Sequence, residues 1–142
     1  LPELLYLTRG FAQCGTTTHE KRRLSMATSY ITIQDRSTTL EIGGDIDHEF
    51  DEFDAPDLDS SENAVLMFLV NPTVTNGPVT LELTLNGQVV VDQAFAAGID
   101  RAWVEIVGGN RLQVQDNELI ATLSATEGAV TVSDVVMLYQ TV

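Results

Sequence analysis

The chain reads as all-β, an antiparallel sandwich or barrel, on three observations. The first is the stretch Val79 to Asp92, VTLELTLNGQVVVD, which spells a β-hairpin. Val79, Leu81, Leu83 and Leu85 alternate with Thr80, Glu82 and Thr84, the period of a strand with one buried face. Asn86-Gly87 follows where a two-residue turn needs positive φ at both positions, and Val89, Val90 and Val91 begin the return. The second is the spacing of short apolar runs between turn formers: Gly43-Gly44, Asn71-Pro72, Asn76-Gly77-Pro78, Gly108-Gly109-Asn110 and Gly128. The third is that no convincing helix stands among those runs.

Taken in order, the expected strands are Tyr30–Gln34, Thr39–Ile42, Glu49–Phe53, Ala64–Val70, Val79–Leu85, Gln88–Gln93, Arg101–Val107, Arg111–Val114, Leu119–Ser124 and Ala129–Tyr139. Ala64–Val70, AVLMFLV, is apolar at every position and is expected to be buried on both faces. In the last strand Asp134 breaks the alternation of Val130 and Val132 with Val135, Met137 and Tyr139. A bulge or a bend between sheets is expected there.

Two segments are expected, an arm over 1–25 and a sandwich domain over 26–142. The arm holds Arg9, Lys21, Arg22 and Arg23 against Glu3 and Glu20. Pro2 to Arg9 suits a short helix ended by Gly10, and Met26-Ala27-Thr28 has the look of a translation start. The body holds three arginines against 19 acids and no lysine, and the whole chain carries a net charge of −14. Such a charge repels phosphate backbones and anionic lipid, which argues against nucleic acid as a partner. No run approaches the roughly 18 apolar residues of a membrane-inserted helix. A lone cysteine, Cys14, leaves the compartment undetermined, with an extracellular or virion surface the working expectation.

Ten carboxylates lie between Glu41 and Glu62. Calcium takes six to eight hard oxygens, so Asp45, Asp47, Glu49, Asp51 and Asp54 form the candidate Ca²⁺ site. The EF-hand template fails here, with Phe50 in place of its glycine and Pro56 in place of its glutamate. The alternative is a solvated acidic loop with Phe50 and Phe53 tucked inward. Catalysis has little to work with: His19 and His48 are the two imidazoles, and no G-x-S-x-G motif occurs. The expectation is a protein that is not an enzyme.

Trp103 is the single tryptophan, in Arg101-Ala-Trp-Val-Glu-Ile-Val107. If Ala102, Val104 and Ile106 face the core, Trp103, Arg101 and Glu105 face out together as a candidate ligand platform. A ring face stacks on an apolar sugar face while charges bond its hydroxyls. In the other orientation Trp103 fills the core and Val104 faces out.

The order AVLMFLV, LTLNGQVVV, RAWVEIV, a turn through Leu112, Asn117, Glu118 and Leu119, and a closing VTVSDVV resembles the galactose-binding-domain-like jelly roll of many carbohydrate-binding modules. The resemblance covers roughly residues 38–140. Gln115-Asp116 stands where that family carries a glycine turn. The resemblance implies an antiparallel two-sheet β-sandwich, a jelly roll, often with structural calcium and a non-catalytic binding role. Two functions follow as expectations. One is a glycan-binding module. The other is a structural or assembly subunit that contacts itself, as a homo-oligomer, through its arm and sheet edges.

Overall fold

The structure is a computed structural model and describes residues 27–73, 77–96, 98 and 100–142. The arm, with its expected helix, lies outside the described residues. Nine strands run in chain order: β1 (Ala27–Gln34), β2 (Thr38–Glu41), β3 (Asp47–Glu49), β4 (Ala64–Thr73), β5 (Val79–Leu85), β6 (Gln88–Phe95), β7 (Arg101–Val107), β8 (Leu119–Ser124) and β9 (Ala129–Thr141).

They form two antiparallel sheets. One has the order β1-β9-β4-β7, with β2 continuing β1 along β9, and the other runs β3-β8-β5-β6. The pairings nest. The innermost hairpin is β5–β6, and β4–β7, β3–β8 and β1/β2–β9 close around it in turn. A long antiparallel hairpin rolled over on itself makes this arrangement, the double-sheet jelly roll. The Asn86-Gly87 turn stands at the centre of this nest. Its φ angles are +50° at Asn86 and +75° at Gly87, as a two-residue turn of this hand requires.

Between the sheets Leu66, Phe68, Leu81, Leu83, Leu85, Phe95, Leu119, Val135 and Met137 form one continuous core. The bulge in β9 falls where expected. Met67 pairs with Val136 and Leu69 with Ser133, so Asp134 and Val135 together oppose Phe68. Asp134 takes φ +51°, and the extra residue shifts the phase of the strand. Val130, Val132, Val135, Met137 and Tyr139 thereby all face inward.

Three expectations are corrected. The third strand is Asp47–Glu49, not Glu49–Phe53. Phe50 and Phe53 are both buried, and a spacing of three cannot keep two side chains on one face of a strand. The chain therefore leaves the sheet at Phe50 and touches it again at a single bridge between Phe53 and Asn117. Arg111–Val114 is not a strand: Gly109–Arg111 forms one turn of 3-10 helix, with Arg111 N bonded to Gly108 O at 2.9 Å. Gly109 is pressed against the backbone of Ser60 and Glu62, where a Cβ would overlap the Glu62 carbonyl oxygen. Finally, β4 is covered on one face only. Ala64, Leu66, Phe68 and Val70 are buried, while Met67 and Leu69 stand 38% and 46% exposed.

Candidate functional site: the outer face of the five-stranded sheet

The uncovered side of β4 is the middle of a larger field. Register places Tyr30, Leu138, Val65 and Ile106 in one row across β1, β9, β4 and β7. The next row holds Thr32, Val136, Met67 and Val104, and the third Ser133, Leu69 and Ala102. No charged side chain stands in these rows. Tyr30, Val104 and Ile106 are 71%, 56% and 69% exposed, so nothing among the described residues covers the face. A shallow apolar groove of about 280 Å³ runs over Met67, Leu69, Ala102 and Val136, with the Asp134 carboxylate beside it.

The opposite face of the molecule has the reverse character. On the four-stranded sheet Asp47, Thr122, Glu82 and Asp92 form one outward row, with Glu82 directly across from Asp92. Like charges placed opposite each other weaken a strand pair, so this surface is built for water. The two sheets share one core and present opposite chemistries outward.

The expected platform on β7 takes the second of its two orientations. Trp103 points inward, half-buried, edge-on to the Phe95 ring with centroids 5.5 Å apart. Its Nε1 donates to Glu105 Oε2 at 3.2 Å, and the Arg101 guanidinium lies 5.7 Å from the Phe95 ring centroid. Trp103 bonds Glu105, and Trp103 and Arg101 both meet Phe95, so the three line the sandwich edge on the side of β7 away from Val104 and Ile106. Val104 and Ile106 occupy the outer positions.

The acidic loop is dispersed. Asp47 and Glu49 project from β3 on the outer face of its sheet, and Asp45, Asp51 and Asp54 are exposed in the turns on either side. Asp54 Oδ1 accepts from Asp116 N at 3.0 Å. Among the described residues no three His, Cys, Asp or Glu side chains are grouped as metal ligands. Asp59 takes hydrogen bonds from the Ser61 hydroxyl and amide, which hold its carboxyl below the ordinary aspartate value. His48 turns inward, where Nε2 donates to Gln34 Oε1 at 3.1 Å and the ring meets Phe50 edge-on at 4.7 Å.

Met67, Leu69, Val104, Ile106, Val136 and Tyr30 are residues that reading the sequence did not single out. The signal was present in two places. AVLMFLV is apolar on both faces, the Ala-Val-Ile positions of RAWVEIV give the adjacent strand an apolar outer face, and among the described residues no helix covers them.

No family model matches the chain, and no curated protein matches it. Among solved structures it is similar to dimeric latent PorU from Porphyromonas gingivalis, with 15% identity and a TM-score of 0.55 over 78% of this chain. Two structures from infectious bursal disease virus match at lower scores. The Gx strain structure has 17% identity and a TM-score of 0.43 over 82% of this chain, and the VP2 subviral particle 11% and 0.41 over 82%. The chain spans 13% of the PorU chain and 32% and 37% of the viral ones. Together with the strand order, the PorU likeness defines the class: a two-sheet antiparallel β-sandwich domain. Among the described residues no helix is long and apolar enough to cross a membrane.

Proposed function

We propose that this chain is a non-catalytic structural module that assembles with copies of itself. The observation that carries the reading is the outer face of the five-stranded sheet: nine apolar side chains in three rows, with Thr32 and Ser133 among them and the Asp134 carboxylate beside them, on a chain of net charge −14. Contiguous bare apolar surface of a few hundred Å² marks an interaction site on a soluble protein. The sequence of β4 expects burial on both sides, and assembly supplies the missing cover. Sedimentation velocity of the 142-residue chain over a wide concentration range tests this. The weight-average sedimentation coefficient should rise with concentration; a single monomeric species throughout would contradict it.

One observation favours a second reading, a glycan-binding module. A groove of about 290 Å³ at the end of the same face is lined by Ser37, Asn71, Asp100, Arg101, Thr131 and Ser133 above an apolar floor. Hydroxyls, an amide and the Asp100 carboxylate over apolar carbon suit a sugar. Binding on a glycan array that is lost in Asn71→Ala or Asp100→Ala would favour this reading over the first.

A further inference from the structure

We infer that the occupant of the bare sheet face is the same face of a second copy, stacked sheet on sheet about a two-fold axis lying in the interface, with Met67 at its centre. This rests on the assembly reading above and adds the surface, the symmetry and the residues that meet.

Symmetry comes first. A two-fold interface is isologous, so the patch must complement itself. An acidic surface cannot do so, because every carboxylate would meet carboxylates of its own kind. The row of Asp47, Glu82 and Asp92 therefore excludes the four-stranded sheet, and a basic partner would be drawn there instead. The five-stranded sheet meets the condition. Its three rows are apolar or hydroxyl-bearing, the carboxylate beside them is Asp134 at the β9 bulge, and the positions beyond are Thr28 and Gln140 at one end and Thr39, Thr131 and Asn71 at the other.

Geometry comes second. Strands stand about 4.8 Å apart and every second residue about 6.8 Å along, so the rows and their polar ends cover on the order of 500 Å². A standard interface takes about 800 Å² from each partner, so the pair forms reversibly and with concentration. Two sheets pack face to face about 10 Å apart with strands aligned to within about 30°. Met67 lies in the middle row on β4, flanked by Val136 and Val104, with Val65 and Leu69 before and after it. Any in-plane two-fold axis through that centre brings Met67 against Met67 of the second copy. Its unbranched side chain fills the irregular gap that a strictly symmetric contact leaves.

Single-cysteine cross-linking tests the arrangement, with Cys14→Ser as the background. Met67→Cys should be joined into a covalent dimer in most chains by a short bis-maleimide, whose reach spans facing side chains on strands about 10 Å apart where a direct disulfide does not, and Glu82→Cys on the acidic sheet should remain monomeric. Val104→Asp, in the cysteine-free background, should weaken association at least tenfold while circular dichroism and melting stay those of the parent. If the chain associates but Met67→Cys does not cross-link and Val104→Asp leaves association unchanged, the interface lies elsewhere. That result overturns this inference and leaves the assembly reading standing. A chain that is monomeric at every concentration overturns both.

Discussion

Asn86 Nδ2 donates to Asn117 Oδ1 at 3.0 Å, joining the innermost hairpin turn to the loop that precedes β8. Asn117 is fully buried, and each of its polar atoms is used. Its amide donates to Phe53 O at 3.0 Å and Gln113 O at 2.7 Å, and its oxygen also accepts from Gln113 N at 2.7 Å. Asn86 completes the clamp through Arg111 O at 2.9 Å and Glu118 N at 2.9 Å. Two asparagines thus hold three loops against the end of the sandwich.

Asn117→Ala should therefore cost far more than an ordinary loop substitution. It leaves the Gln113 amide and the Asn86 Nδ2 without their acceptor, a loss of about 2–4 kcal/mol. Thermal melting should fall by roughly 6–15 °C. Asn86→Gly should cost less than Asn86→Ala, because glycine keeps the φ of +50° that alanine resists.

Glu105 guards an edge. It projects inward from β7, the outermost strand of its sheet, and its carboxylate is held by the Trp103 indole. An inward charge on an edge strand opposes pairing with a further strand. Glu105→Val should make β7 a receptive edge and give open-ended aggregates, read as rising turbidity and thioflavin T fluorescence. Unchanged behaviour at high concentration would show that the edge is protected otherwise.

Salt should strengthen association. Moving from 0.1 M to 1 M NaCl shortens the screening length from about 10 Å to about 3 Å, which reduces repulsion between two chains of charge −14. It leaves an apolar contact intact. The dissociation constant from sedimentation should fall by roughly threefold or more; a rise would point to ion pairs in the contact.

Calcium chelation should leave the melting temperature within about 1 °C, because the carboxylates of Asp45, Asp47, Glu49, Asp51 and Asp54 stand apart. A ligand bound to the native state at a hundred times its dissociation constant adds about 2.7 kcal/mol, so a bound ion would be visible as a drop of several degrees.

Local patterns in the sequence located what local physics decides. The Asn86-Gly87 turn needs two positive φ angles, and the Asp134 bulge is forced by a phase change between Val132 and Val135; both were legible. Alternation in RAWVEIV separates two faces without saying which is inner. That choice falls to Trp103, whose ring finds Phe95 from the other sheet and whose N–H finds Glu105. The Arg111–Val114 segment misleads for a similar reason. Gly109 must slide under Glu62, and Asn117 must reach Phe53, contacts 47 and 64 residues away in the chain. The bare face was half legible: AVLMFLV announced two apolar sides, but only the strand order shows that one of them lacks a covering layer among the described residues.

Oxidation of Met67 addresses that missing layer most directly. At low concentration Met67 should react with hydrogen peroxide far faster than Met137, which is completely buried between the sheets. As concentration rises through the association range, the Met67 rate should fall toward that of Met137. A Met67 rate that stays constant while the protein associates would show that the outer face remains in water.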